Sequence, residues 1–185
     1  MAVEENEAAG RMLRPYVLAA GEGEMAAAPE GSAMRLKASA ESTGGGLGLL
    51  EGVDAPGFAT PLHRHDAAEL WYILDGHYDF YVAGEWLPAD TGAVVFVPGG
   101  LAHGLRAGPA GGRKLTMMIP GGSEGFFRDV HRALEADTVT PETFRALGAE
   151  YGIELIGPLP ESRPPDAGRA AVRRRTGGTD GLPSG

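Results

Sequence analysis

The sequence predicts an all-β domain, a closed or double-sheet antiparallel structure, followed by two α-helices. Three observations carry this. Glycine is abundant, 30 of 185 residues, and most of it falls between short apolar runs. Those runs are short, recur at regular spacing and end in Gly, Pro or Asp, as strands joined by turns do. After Pro120 the apolar residues change from alternation to helical spacing.

The elements follow in order. Residues 1–13 are acidic and lack an apolar pattern, and are expected to be a flexible leader. "RPYVLAAGEG" predicts a short first strand that stops at glycine. In "SAMRLKAS", Met34, Leu36 and Ala38 alternate with Arg35 and Lys37, the pattern of a half-buried strand. "GLGLLEGV", "FATPLHRH", "ELWYILDG", "HYDFYVAGEW", "GAVVFVPGG", "LAHGLRAG" and "RKLTMMIPGG" continue the series, so the β body is expected to span 14–120. A helical extension is expected over 121–157. Ser123 is the expected cap of "EGFFRDVHRALEA", with Phe127, Val130 and Leu134 on one stripe. Thr140 and Pro141 open "PETFRALGAEYG", which Gly152 stops. Residues 158–185, rich in Pro, Gly and Arg, are expected to be a disordered tail.

Composition narrows the function. The formal net charge is −9, which argues against a phosphate-binding surface and so against nucleic acid. The run Arg173–Arg175 lies in the tail and reads as solvated chain. There is no cysteine, which removes disulfides, thiolate metal ligands and thiol nucleophiles. No apolar run approaches the roughly twenty residues that span a bilayer, and the acidic N-terminus does not read as a secretory signal. The expectation is a cytoplasmic protein with no membrane partner.

The chemistry concentrates in "GFATPLHRHDAAELWYILDG". His63 and His65 lie one residue apart and share a strand face. Glu69 opens the next strand after a short link and can sit beside them. His103 follows a Pro-x-Gly turn in "GAVVFVPGGLAHGL". Three imidazoles and a carboxylate suit one divalent transition metal, Fe, Mn, Co, Ni, Cu or Zn. Without a cation, such a group inside an apolar barrel is costly. His77, at a strand end, and His131, on the first helix, read as surface and rim residues.

These segments resemble the two signature motifs of the cupin superfamily. The first is met by Gly57, His63, His65, Glu69 and Gly76, the second by Gly92, Pro98, Gly100 and His103. Ala107 stands where the family motif ends in Asn, a residue that is not a ligand. Residues 77–91 separate the motifs, which resembles compact single-domain members. The resemblance implies a jelly-roll barrel, with His63, His65, Glu69 and His103 as metal ligands.

Within the superfamily the chain is most similar to small quercetin-dioxygenase-like proteins. That likeness implies a dioxygenase that cleaves an enolic aromatic, flavonol-like or polyketide-type substrate with O₂. Glu69 would be both ligand and base. Trp71 and Ile73, which share parity with Glu69, are expected to line the pocket with Phe126, Phe127 and one of Met117 and Met118, here taken as Met117. The other readings are a non-redox cyclase or isomerase and a non-catalytic small-molecule-binding cupin. The resemblance also implies a homodimer, with the strand around Tyr16 to Leu18 as the segment that crosses between subunits.

Overall fold

The computed structural model describes residues 13–28 and 31–161. The leader up to residue 12 and the tail from residue 162 lie outside the described residues. The elements run β1 (Glu24–Ala26), β2 (Ala33–Ala38), α1 (Ala40–Thr43), β3 (Gly48–Asp54), β4 (Leu62–Arg64), β5 (Ala68–Val82) and β6 (Glu85–Asp90). They continue through β7 (Val94–Val97), β8 (His103–Ile119), α2 (Gly125–Glu135), α3 (Pro141–Glu150) and β9 (Glu154–Gly157). No helix among the described residues is long and apolar enough to cross a membrane.

Two long strands make the jelly roll. β5 and β8 pair antiparallel from Ala68↔Ile119 to Val82↔His103. Their register slips between Ile73 and Asp75 and again between Gly76 and Tyr78, so both strands bend at mid-length. Each therefore serves two layers. The first layer holds β1, β2, β3, the end of β8, the start of β5, and β7. The second holds β9, β4, the start of β8, the end of β5, and β6. Gly76 sits at the bend with φ +85°, and a Cβ there would lie 2.5 Å from the Gly111 carbonyl oxygen, so the corner needs glycine twice over.

Between the layers Trp71, Ile73, Tyr78, Phe80, Val97 and Leu105 form the main core. Ala26, Met34, Leu36, Leu50 and Met118 form a second cluster. The helices pack on a third, where Phe126, Val130 and Ile153 meet Phe144, Leu147 and Leu155.

The helices α2 and α3 fall where their spacing predicts. Thr140 caps α3 through the Thr143 amide, and Thr143 returns the bond to Thr140, a capping box. Three expectations change. Residues 14–20 are extended but form no strand, because no neighbouring strand pairs with them. Ser123 does not cap α2; its hydroxyl meets Met118 Sδ at 3.1 Å. Glu124 precedes α2 instead, and its buried carboxylate accepts the Ala40 amide at 2.6 Å, which ties α1 to α2. The extension over 121–157 is not wholly helical, since it ends in β9.

Candidate metal centre

Two adjacent strands and one hairpin bring the four side chains together. β4 carries His63, which pairs with His103 at the start of β8. His65 follows β4, and Glu69 is the second residue of β5, opposite Val97 and Met118. The turn at 98–100 locks the two histidine loops. The Gly100 amide donates to the His65 carbonyl at 2.8 Å, and a Cβ on Gly99 would fall 1.9 Å from the Asp66 carbonyl oxygen.

The ligand atoms of His63, His65, Glu69 and His103 all lie within 4.8 Å of one another. Glu69 Oε2 is 3.1 Å from His65 Nε2 and 2.7 Å from His103 Nε2. The His63 and His103 ring centroids are 4.4 Å apart.

Each imidazole is oriented from behind by a backbone carbonyl. His63 Nδ1 meets Pro61 O at 2.9 Å, His65 Nδ1 meets Ala67 O at 2.9 Å, and His103 Nδ1 meets Leu101 O at 2.8 Å. A carbonyl only accepts, so all three Nδ1 atoms carry the proton, an assignment made from the partners. In the neutral rings Nε2 then bears a lone pair, and two such lone pairs face the Glu69 carboxylate. Acceptors facing one another at these distances require protons or a cation between them. The donor set fits a divalent metal with borderline preferences.

The electrostatics agree. Burial, helped by His103, pushes the His63 imidazole down to about 4, so it stays neutral. Burial alone would raise the Glu69 carboxyl, but hydrogen bonds to His103 and His65 outweigh it and hold it at about 2. Burial opposes protonation of His65 too, and the Glu69 contact reverses the balance and raises it.

The expected pocket residues divide. Trp71 is buried, with its ring 5.7 Å from that of His103, so it walls the site. Ile73 faces the same interior but is fully packed in the core. Met117 is on the wrong face: Met118 points inward beside Glu69, and Met117 points outward. Phe126 packs against Phe127 at 5.3 Å and Phe144 at 5.2 Å, so both phenylalanines serve the helical layer. A groove of about 580 Å³ lies elsewhere, between α3, β9 and the chain at 59–61. His77 is bonded to Asp90, and His131 sits 3.7 Å from Glu135, as surface residues do.

One buried group was not anticipated. Lys114 follows the inward parity of Met118 and Thr116 into the barrel, where it pairs with Asp54. Tyr78 donates to the same Asp54 oxygen at 2.8 Å, and the ammonium lies over the Phe58 and Tyr78 rings. Asp54 ends β3 and Lys114 sits among apolar residues, so neither carried a sequence signal.

With the two-layer topology and the four-residue group in place, residues 51–111 match the cupin domain family. The fold is the cupin fold. Solved structures that share it include the following three. An RmlC-like cupin from Shewanella frigidimarina is 18% identical over 58% of this chain and 93% of its own, with a TM-score of 0.50. KdgF from a Halomonas species is 16% identical over 58% and 94%, with a TM-score of 0.52. The polyketide cyclase RemF from Streptomyces resistomycificus is 19% identical over 57% and 80%, with a TM-score of 0.51. No curated protein matches the sequence. These likenesses establish the cupin architecture, and the group that could hold a metal lies inside the matched region.

Proposed function

We propose that His63, His65, Glu69 and His103 hold one divalent transition metal, and that this cupin is a dioxygenase acting on an enolic aromatic, flavonol-like or polyketide-type molecule. The observation that carries the reading is the set of three imidazoles, each with Nδ1 committed to a carbonyl, whose ligand atoms gather with that of one buried carboxylate, toward which His65 and His103 turn Nε2. When bound, a metal here supplies Lewis acidity toward a substrate hydroxyl and, if redox-active, a meeting point with O₂.

The chain's own residues do the rest. Glu69 is ionised at neutral pH and is the group beside the imidazoles in a state to accept a proton. The backbone carbonyls keep the imidazole rings from rotating. Trp71 offers an aromatic wall next to His103, suited to a flat substrate. Burial of Glu69 and His103 keeps water from the proton-accepting atom.

A non-redox cyclase or isomerase is the second reading. It uses the same site, and the fold shared with RemF, a polyketide cyclase, favours it. Metal analysis of purified protein followed by oxygen-electrode assays with flavonols and hydroxyquinones tests both. The expected result is one metal per chain and O₂ uptake matching product. His103→Ala should abolish both and retain the β signal in circular dichroism. Product without O₂ uptake would replace the first reading by the second. Bound metal without turnover of any candidate would leave a binding protein, and absence of bound metal would end the proposal.

A further inference from the structure

The groove between α3, β9 and the chain at 59–61 lies outside the barrel. Arg106 lines it, and along β8 Arg106 alternates with Leu105 and Ala107, which belong to the main core. The groove is therefore on the outer side of that strand. Leu159, another lining residue, seats on Gly104 of the same outer parity, where a Cβ would fall 2.8 Å from Leu159 Cδ2. None of His63, His65, Glu69 and His103 lines the groove. Pro61 does, and its carbonyl holds His63 Nδ1 at 2.9 Å. The groove and the metal centre are separate volumes that share a stretch of chain.

Its lining has a chemistry of its own. Pro61, Phe144, Leu155, Ile156 and Leu159 make apolar walls, and the charged residues among them are two arginines, Arg106 and Arg145. Neither has a carboxylate partner among the described residues, whereas Lys37, Arg64, Arg113, Lys114 and Arg132 each do. Asp79, opposite Arg106 in register, is turned to His77 at 3.4 Å. Glu142, on the same helix as Arg145, feels it through charge alone and does not line the groove. A chain of net charge −9 thus leaves two guanidinium groups unanswered at the wall of one cavity. Arg106 is also held in place. Its guanidinium lies 5.5 Å from the Trp86 ring centroid, and Nη2 donates to the Pro160 carbonyl at 3.4 Å, which leaves most of its donors unspent.

We propose that this groove binds an organic carboxylate, with an aromatic or alicyclic body against the apolar walls and the carboxylate against Arg106 and Arg145. The volume of about 580 Å³ lies in the range of small-molecule sites, which are mostly apolar with a few placed polar groups. The planar guanidinium fork matches a carboxylate, and an ion pair formed beside apolar walls is stronger than one in open water. Free phosphate is a poorer fit, since an anion with no apolar body leaves most of the lining unused. A neutral apolar molecule leaves both arginines as they are.

Isothermal titration of the full chain with 2-naphthoate tests this, and it does not depend on the metal reading. The expected result is saturable binding of one molecule per chain with a Kd below ~1 mM. The uncharged 2-naphthalenemethanol should bind roughly tenfold more weakly, the loss of a charge-assisted hydrogen bond. Arg145→Gln, at an exposed position that the fold should tolerate, should weaken 2-naphthoate by a similar factor. Gly157→Leu should abolish binding, because a side chain there enters open space in the groove. Both variants should keep the circular dichroism of the wild type. Binding should persist in folded His103→Ala, which separates this site from the metal centre. Absence of saturable binding, equal affinity for the alcohol or for inorganic phosphate, or either groove variant binding like wild type would overturn the proposal. So would loss of binding in folded His103→Ala, or binding that begins only after removal of 162–185, which would assign the groove to the tail.

Discussion

Replacing Asp54 with alanine would strand the Lys114 ammonium without a counter-ion and the Tyr78 hydroxyl without an acceptor. Lys114 is 2% exposed and Asp54 5%, so water does not reach either group in the folded barrel. Breaking a buried pair by removing one partner costs about 3–5 kcal/mol. That is a large part of the roughly 5–15 kcal/mol that stabilises a domain, and it should lower the urea midpoint by ~2 M. The cost should depend on pH. Burial pulls Lys114 below its ordinary 10.5, and Asp54 opposes the shift. Without Asp54 the folded-state value falls further, and the unfolded chain keeps the ordinary one. Below 10.5 the unfolded variant then binds more protons than the folded one, so its stability rises with pH through that window. The gap to wild type should narrow between about pH 7 and pH 10. Equilibrium urea unfolding across that range measures it. An Asp54→Ala, Lys114→Met double variant, which removes the stranded charge, should recover most of the loss. A single variant within about 1 kcal/mol of wild type, or a double variant no better than the single, would show that the pair is not buried as described.

Two further outcomes are expected. In metal-free protein His63 titrates near 4 when folded and near its ordinary 6.5 when unfolded. The unfolded chain therefore takes its proton first, and up to ~3 kcal/mol of stability should be lost as pH falls from 6.5 toward 4. Urea unfolding at several acidic pH values checks this, and a flat profile would contradict the burial of His63. Gly99→Ala forces a Cβ against the Asp66 carbonyl, so the turn must move and carry the His65 loop with it. We expect a loss of ~2–3 kcal/mol and at least a tenfold weaker hold on metal, read by chelator competition. Gly157→Ala, which has open space around its Cβ, should change neither.

The candidate site was legible because its residues are chemically distinctive and its glycines fix the turns between them. The carbonyls that orient the imidazoles were not, since a backbone oxygen has no sequence signature. Met117, Phe126 and Phe127 face elsewhere than expected for a different reason. In "RKLTMMI" the apolar residues Leu115, Met117 and Ile119 alternate with Lys114, Thr116 and Met118, so simple pattern reading turns Met117 inward. The structure does the opposite, because Lys114 finds Asp54 inside and the outer face is apolar along its length. The paired phenylalanines were placed on the correct helix, but sequence does not say which layer a helix stripe covers. The missed strand β9 is four residues, too short for a period to show.

The histidine-bearing strand β4 lies between β8 and β9, with Arg64 bound to Glu154 across 90 residues of sequence. The wall around His63 therefore cannot close during synthesis until residue 157 has left the ribosome. A fusion or cut close to Gly157 should therefore disturb the four-residue group from the other side of a 90-residue span of sequence.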